Sequence, residues 1–325
     1  MSSLLYLELS KNELTQIVSE TLHTQTHSFK SLTGGYFNTT YIVDTAKYGP
    51  VVLRVGPVNR HLLMPFEHRL MEAEEYVYGL CKKYDIPASE ILAVDTSKRL
   101  IDRDFMFIRY IPSKPMIEIM TKLGNKTDIY RDIGIAAAKL HSIKSSRFGR
   151  VAEVKDGGGS TLWSEALLRE LHEWEQMSIP AALFEETEHV RIRRLFQKAV
   201  PYLDEIKEPC LVHSDLWPGN ILIRTDTSEP QFAAFIDADR AIWGDPDFEF
   251  SSIWWTNTEE SFWEGYGRKL SQTAADHIRR GIYTLLNKLW NTYVYSCEYN
   301  QPEDAISEHS EAINQIKKLC ELLNM

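Results

Sequence analysis

The sequence predicts an α+β chain of two lobes, a small β-rich lobe with one inserted helix followed by a larger, mainly helical lobe. Three observations predict it. Segments with strand character, separated by turn residues, are concentrated before Ile111-Pro112. Helical apolar spacing takes over after that dipeptide. The later strand signals are short and sit among long amphipathic helices, an ordering that argues for two differently built layers. The expected division is residues 1–111 and 112–325.

Taken in order, Ser10-Lys11-Asn12-Glu13 reads as a capping box, and Leu14, Ile17, Val18 and Leu22 form the stripe of the helix it starts. From Phe29 to Val55, GGYFNTTYIVDT and PVVLRV predict a hairpin and a third strand. Arg69 to Tyr84 has helical spacing, and ILAVD and FMFIRYI supply two more strands. In the second lobe, IYRDIGIAAAKLHSI, LWSEALLRELHEWEQM and EHVRIRRLFQKAVPYLDEI are helices, as is the aromatic-rich stretch from Ala274 to Leu323. CLVH, NILI and FAAFID predict one small sheet within this lobe.

Composition narrows the function. Ten more acidic than basic residues give a formal charge of −10, which argues against nucleic acid as a partner, because phosphate neutralisation needs clustered Lys and Arg. Cys81, Cys210, Cys297 and Cys320 show no metal-ligand spacing and read as free thiols of a reducing cytoplasm. There is no basic, apolar leader and no run long enough for a membrane span, so a soluble cytoplasmic protein without a membrane partner is expected. The sequence carries no signal for oligomeric state.

The chemistry is concentrated in LVHSDLWPGN. His213, Asp215 and Asn220 follow H-x-D-x-x-x-x-N, the spacing of a kinase catalytic loop. In phosphoryl transfer a carboxylate must meet the attacking hydroxyl, and an amide oxygen one loop-turn later must reach the metal. Mg2+ needs further hard oxygen ligands, and Asp237 at the end of FAAFID supplies one, with Asp239 as second choice. Asp245 in WGDP reads as a cap for backbone amides.

With VHSDLWPGNIL and FIDADRAIWGDP, the chain resembles the aminoglycoside phosphotransferase and choline kinase family over roughly Ser31 to Phe250. The resemblance implies the bilobal protein-kinase-like fold and phosphorylation of a small-molecule hydroxyl, using ATP (or GTP as the alternative donor) and Mg2+. It implies Asp215 as base or hydroxyl-orienting residue and Asn220 and Asp237 as metal ligands. Gly34 and Gly35, at an expected hairpin tip, would let backbone N–H groups approach phosphate. Arg54 stands where such kinases keep a phosphate-binding lysine; it carries the charge but in a different, forked geometry. Its partner should be Glu74, which shares a helix face with Leu70, Val77 and Cys81, with Glu75 as the fallback and Glu72 off that face. Arg109, Tyr110 and Ile111 are expected at the hinge, their main chain meeting the nucleotide base.

Other features have plainer readings. His213 and His141 are expected to be packed rather than catalytic. Glu249, Glu259, Glu260 and Glu264, with Trp243, Trp254, Trp255 and Trp263, raise a cationic acceptor such as an amino sugar or quaternary amine. Core packing is the simpler account of those rings. Two rival functions are a protein kinase and a nucleotide-binding module without turnover. Against the first, Ser214 replaces the arginine of HRD, Asp237-Ala238-Asp239 replaces DFG, and too few residues separate Asp237 from Trp243-Gly244-Asp245-Pro246 for a peptide-docking segment. Arg54 is the best support for the second.

Overall fold

The computed structural model describes residues 3–32, 35–123, 126–251, 253 and 255–325. Strands β1 (Thr26–Leu32), β2 (Thr39–Thr45), β3 (Gly49–Val55), β4 (Ile91–Asp95) and β5 (Phe105–Arg109) form an antiparallel five-stranded sheet in the order β1-β2-β3-β5-β4. Along β2 buried and half-buried residues alternate, as the pleat requires of TTYIVDT. One face is covered by helix α1 (Lys11–Leu22), whose stripe Leu14, Ile17, Val18 and Leu22 packs on Tyr41, Val43, Leu53 and Phe107. The capping box is present: Ser10 Oγ accepts from the Glu13 N–H at 3.2 Å and Glu13 Oε2 accepts from the Ser10 N–H at 2.8 Å.

Helix α2 (Leu70–Lys83) buries Ala73, Glu74, Val77, Tyr78 and Cys81, and its apolar members join a core shared with the helical part of the chain. The polar Glu74 on that face is an anomaly, and it is paired with Arg54. After β5, the chain leaves this sheet and enters β6 (Lys114–Pro115), which pairs with a strand of the second lobe. The change of periodicity at Ile111-Pro112 therefore falls where the chain passes between sheets.

The second lobe contains helices α3 (Met116–Ile119), α4 (Thr127–Ser142), α5 (Val151–Lys155), α6 (Trp163–Ser178), α7 (Glu186–Leu203), α8 (Glu260–Tyr266), α9 (Ala274–Tyr293) and α10 (Pro302–Leu322). Helices α6, α7, α9 and α10 enclose an apolar core with Trp163, Trp174, Phe196, Leu286 and Ile316. Helix α9 does not simply end: it passes into a π-helical turn, Val294–Glu298, closed by the Tyr299 N–H donating to the Val294 carbonyl at 2.9 Å.

One expectation is corrected here. CLVH, NILI and FAAFID do not form a single sheet. Strands β9 (Ile221–Arg224) and β10 (Gln231–Phe235) pair with each other and with β6, in the order β10-β9-β6. Strand β8 (Cys210–Val212) belongs to a separate sheet, β7-β11-β8, with β7 at Gly149–Arg150 and β11 at Ile242–Gly244. Strands of two or three residues are too short to show an alternation, so tertiary pairing alone defines them. Among the described residues no helix is long and apolar enough to cross a membrane, and the four cysteines are free, with Cys81 and Cys210 buried.

Candidate active site

The catalytic-loop candidate runs from β8 to β9 and is held from beneath. His213 is buried; its N–H donates to Glu249 Oε2 at 2.8 Å and its Nε2 lies 3.0 Å from the Ile236 carbonyl. Burial lowers its pKa, so it is a neutral packing element. Glu249 also meets His141 Nε2 at 3.3 Å, and His141 Nδ1 meets the Tyr266 hydroxyl at 2.7 Å, which makes His141 a core histidine. Ser214 takes a left-handed φ of 67° and donates from Oγ to the Arg240 carbonyl at 3.0 Å. A non-glycine residue in that region costs of order 1–3 kcal/mol and persists only where its surroundings insist on it.

The strained turn points Asp215 into a cleft. Asn220 Nδ2 donates to both the Asp215 carbonyl and its Oδ2, each at 2.9 Å, which fixes the carboxylate and leaves the Asn220 amide oxygen available as a ligand. Burial pushes the Asp215 carboxyl up to about 7, against the opposing pull of Arg240 and with help from Asp237. Gly219 leaves room for the Trp217 indole, which folds back over it: a Cβ there would lie 2.1 Å from Cζ2 of that ring unless the ring moved.

The facing wall comes from β3, α2 and the segment after β10. Asp237 has φ 63° and donates its N–H to the Tyr78 hydroxyl at 3.1 Å. Arg54, nearly buried, forks between Glu74 and Asp237 and reaches Asp239 Oδ2 at 3.3 Å. Burial opposes charge on Asp237, yet the guanidinium outweighs it and holds that carboxyl below its ordinary range. Burial and the Asp237 charge push Asp239 well up, and burial raises Glu74 despite Arg54. Oxygens of Glu74, Asp237 and Asp239 lie within 4.8 Å of one another. Glu75 is exposed, so the fallback partner is not used. Asp245 accepts from the Asp247 N–H at 3.0 Å and from the Tyr283 hydroxyl at 2.8 Å, the bracing role its position suggested.

Between these walls lies a cavity of about 450 Å³. Gly35, Arg54, Asp215, Asn220 and Asp237 all line it, with Glu74 behind Arg54. Gly34 lies outside the described residues. Arg109, Tyr110 and Ile111 do not line the cavity, and the Arg109 N–H is committed to the Glu90 carbonyl at 2.8 Å. Among the described residues, the tryptophans weighed for a cation site follow the simpler core-packing account. Trp243 and Trp255 are 3% and 2% exposed in the core, and Trp263 packs on Phe250 and Phe262. Trp254 lies outside the described residues. Sequence reasoning missed Tyr36, Arg240, Asn287, Asn291, Tyr295 and Tyr299 on the cavity wall. The available signal was polar and aromatic residues at i, i+4 spacing on the end of an apolar helix, Asn287 with Asn291 and Tyr295 with Tyr299.

The sequence and the fold of the chain match known proteins. The sequence profile described as the phosphotransferase enzyme family matches residues 28–281. The chain belongs to that family. Among curated proteins, protein-ribulosamine 3-kinase of Arabidopsis thaliana is 29% identical over 106 residues, 32% of this chain and 31% of that protein, so the match spans about a third of that relative's length. Among solved structures, a GDP and kanamycin complex of an aminoglycoside 2″-phosphotransferase superposes with a TM-score of 0.67 at 16% identity, covering 95% of this chain and 99% of the other. A complex of aminoglycoside phosphotransferase APH(4)-Ia with AMP-PNP and hygromycin B gives 0.65 at 16% identity, covering 94% and 98%. A protein assigned as a fructosamine-3-kinase from Thermobifida fusca gives 0.66 at 13% identity, covering 94% and 100%. These likenesses establish the protein-kinase-like fold of this phosphotransferase.

Proposed function

We propose that the protein is an ATP- and Mg2+-dependent small-molecule kinase. The observation that carries this reading is the convergence of Asp215, Asn220, Asp237 and Arg54, from three separate segments, on one cavity. The donor set fits Mg2+: the Asn220 amide oxygen and the Asp237 carboxylate are hard oxygen ligands, with Asp239 beside them. When bound, the ion would screen charge on the β- and γ-phosphates. ATP is the expected donor and GTP the alternative, since the structural neighbours are complexes of both kinds of nucleotide.

The remaining work falls to the chain's own residues. Arg54, anchored by Glu74, is placed to meet the phosphates, and Gly35 lets the loop after β1 come close to them. Asp215 orients the acceptor hydroxyl and takes its proton. The hydroxyl oxygen forms a bond to the γ-phosphorus while the bond from that phosphorus to the β–γ bridging oxygen breaks, giving a phosphomonoester and the nucleoside diphosphate. The two lobes divide between Ile111 and Pro112, and the buried free thiols favour the reducing cytoplasm. Asp215→Ala should lower turnover roughly 10²–10⁴-fold while nucleotide binding survives. Loss of nucleotide binding with intact folding would mean that Asp215 has a different task.

A further inference from the structure

The acceptor half of the cavity has a chemistry of its own. It is built by the end of α9, the π-helical turn and Tyr299 on one side, and by Tyr36 and Trp217 on the other. Single π turns inside helices occur often at functional sites, and here the extra residue brings Val294 and Tyr295 to the cavity. Tyr36 stacks on Tyr299 with ring centroids 5.2 Å apart, and Tyr295 meets Tyr299 edge-on at 5.9 Å. Tyr36 and Trp217 are each 44% exposed, so two aromatic faces stand open to the cleft.

Between these rings lie two amides, each with one of its two N–H donors already committed. Asn287 Nδ2 donates to Ser251 Oγ at 2.7 Å, and Asn291 Nδ2 donates to Glu308 Oε2 at 3.2 Å. Their carbonyl oxygens have no hydrogen bond among the described residues. The wall therefore offers a ligand two free carbonyl acceptors, with one N–H of each amide beside them, which is the donor and acceptor pairing that a hydroxyl can meet.

Charge decides which donors. Among the described lining residues the carboxylates are Asp215, Asp237 and Asp239, and the last two face Arg54. Arg240, held by Glu67 at 2.7 Å, adds a fixed positive charge to the same lining. Although the protein is acidic overall, Asp215 is the one carboxylate lining the acceptor half among the described residues, and Glu308 behind Asn291 is already paired with Lys288 at 3.2 Å, so several ammonium groups would find too few partners. Desolvating unpaired cations there would cost more than the rings return. The cavity must also hold the phosphates, and about 450 Å³ is toward the small end for ligand sites.

We propose that the acceptor is an uncharged polyol of monosaccharide size. Its C–H face lies against the tyrosine and tryptophan rings, and its hydroxyls donate to the carbonyl oxygens of Asn287 and Asn291. The proposal rests on the kinase reading above and departs from the multi-ring aminoglycosides held by two of the structural neighbours.

The test uses the full chain with MgATP and follows ADP release over a panel. The panel contains neutral pentoses, hexoses and cyclitols, their amino-deoxy counterparts, choline-like amino alcohols and multi-ring aminoglycosides. At least one neutral polyol should exceed every amine in kcat/KM by tenfold or more. Asn287→Ala and Asn291→Ala should each raise its KM several-fold to about tenfold, the usual effect of one lost hydrogen bond, with the ATP dissociation constant unchanged as a check on folding. Preference for amines, or turnover of no compound while MgATP binds, would overturn the acceptor assignment. A folded protein that fails to bind MgATP would instead overturn the kinase reading beneath it.

Discussion

Removing the positive charge at position 54 tests the electrostatic frame of the site before any substrate is known. In Arg54→Met an apolar side chain of similar reach replaces a guanidinium that is 9% exposed and touches Glu74, Asp237 and Asp239. Breaking a buried ion pair from one side typically costs 3–5 kcal/mol, because the other charge stays dry and unpaired. Asp237 is 37% exposed and can be solvated, and burial already pushes Asp239 toward its neutral form. Glu74, 1% exposed, is then the main group left charged without compensation. The expected loss is at the low end, about 3 kcal/mol at pH 8, or roughly 4–5 °C in Tm for a chain of 325 residues. The sign of the pH dependence follows from linkage. Without Arg54 the folded-state carboxyls titrate above their unfolded values, so the native state binds the extra protons, and stability falls as pH rises through that window. The deficit relative to wild type should therefore be small near pH 5 and largest near pH 8. Arg54→Lys, which keeps one charge but not the fork, should fall between. Chemical unfolding of the three proteins at both pH values decides it. A deficit under about 1 kcal/mol at pH 8, or one independent of pH, would refute the claim that this guanidinium neutralises a buried carboxylate cluster.

Other outcomes follow from the same geometry. Because the Asp215 carboxyl is pushed up to about 7 and acts when ionised, kcat/KM for the acceptor should rise with pH through that region and level off above it; a profile that climbs on acidification would contradict its role as base. Gly219→Ala places a Cβ 2.1 Å from the Trp217 ring, so the indole must leave its seat. The cost should be about 1–3 kcal/mol in stability, with a raised acceptor KM, read by thermal unfolding and steady-state kinetics. Thr273→Ala removes the cap of α9, where Thr273 Oγ accepts from the Asp276 N–H at 3.2 Å. It should lower stability by about 1 kcal/mol without changing the ATP dissociation constant.

Much of this site could be read from the chain because its members fall at fixed offsets around short strands. His213, Asp215 and Asn220 span one loop whose backbone is dictated by its two ends, so their spacing survives in sequence. Glu74 was legible for another reason: it occupies an apolar helix face, where an ionisable group requires a partner. The acceptor wall was not legible in the same way. Asn287 and Asn291 sit on a largely apolar stretch of α9, and Tyr295 and Tyr299 lie in and just after a π turn that nothing in local propensity announces. Trp243 and Trp255 lie near the metal motif in sequence but pack into the core beneath it, as the simpler reading of those rings held. The pairing of β8 with β11 was hidden because three-residue strands carry no readable period.

The most direct measurement is a crystal structure of the protein with Mg2+ and a non-hydrolysable ATP analogue. The account predicts the ion on the Asn220 amide oxygen and the Asp237 carboxylate, with the γ-phosphate facing Asp215 and the space beside Asn287 and Asn291 open to an alcohol. An analogue bound elsewhere, or a metal that ignores both residues, would contradict it.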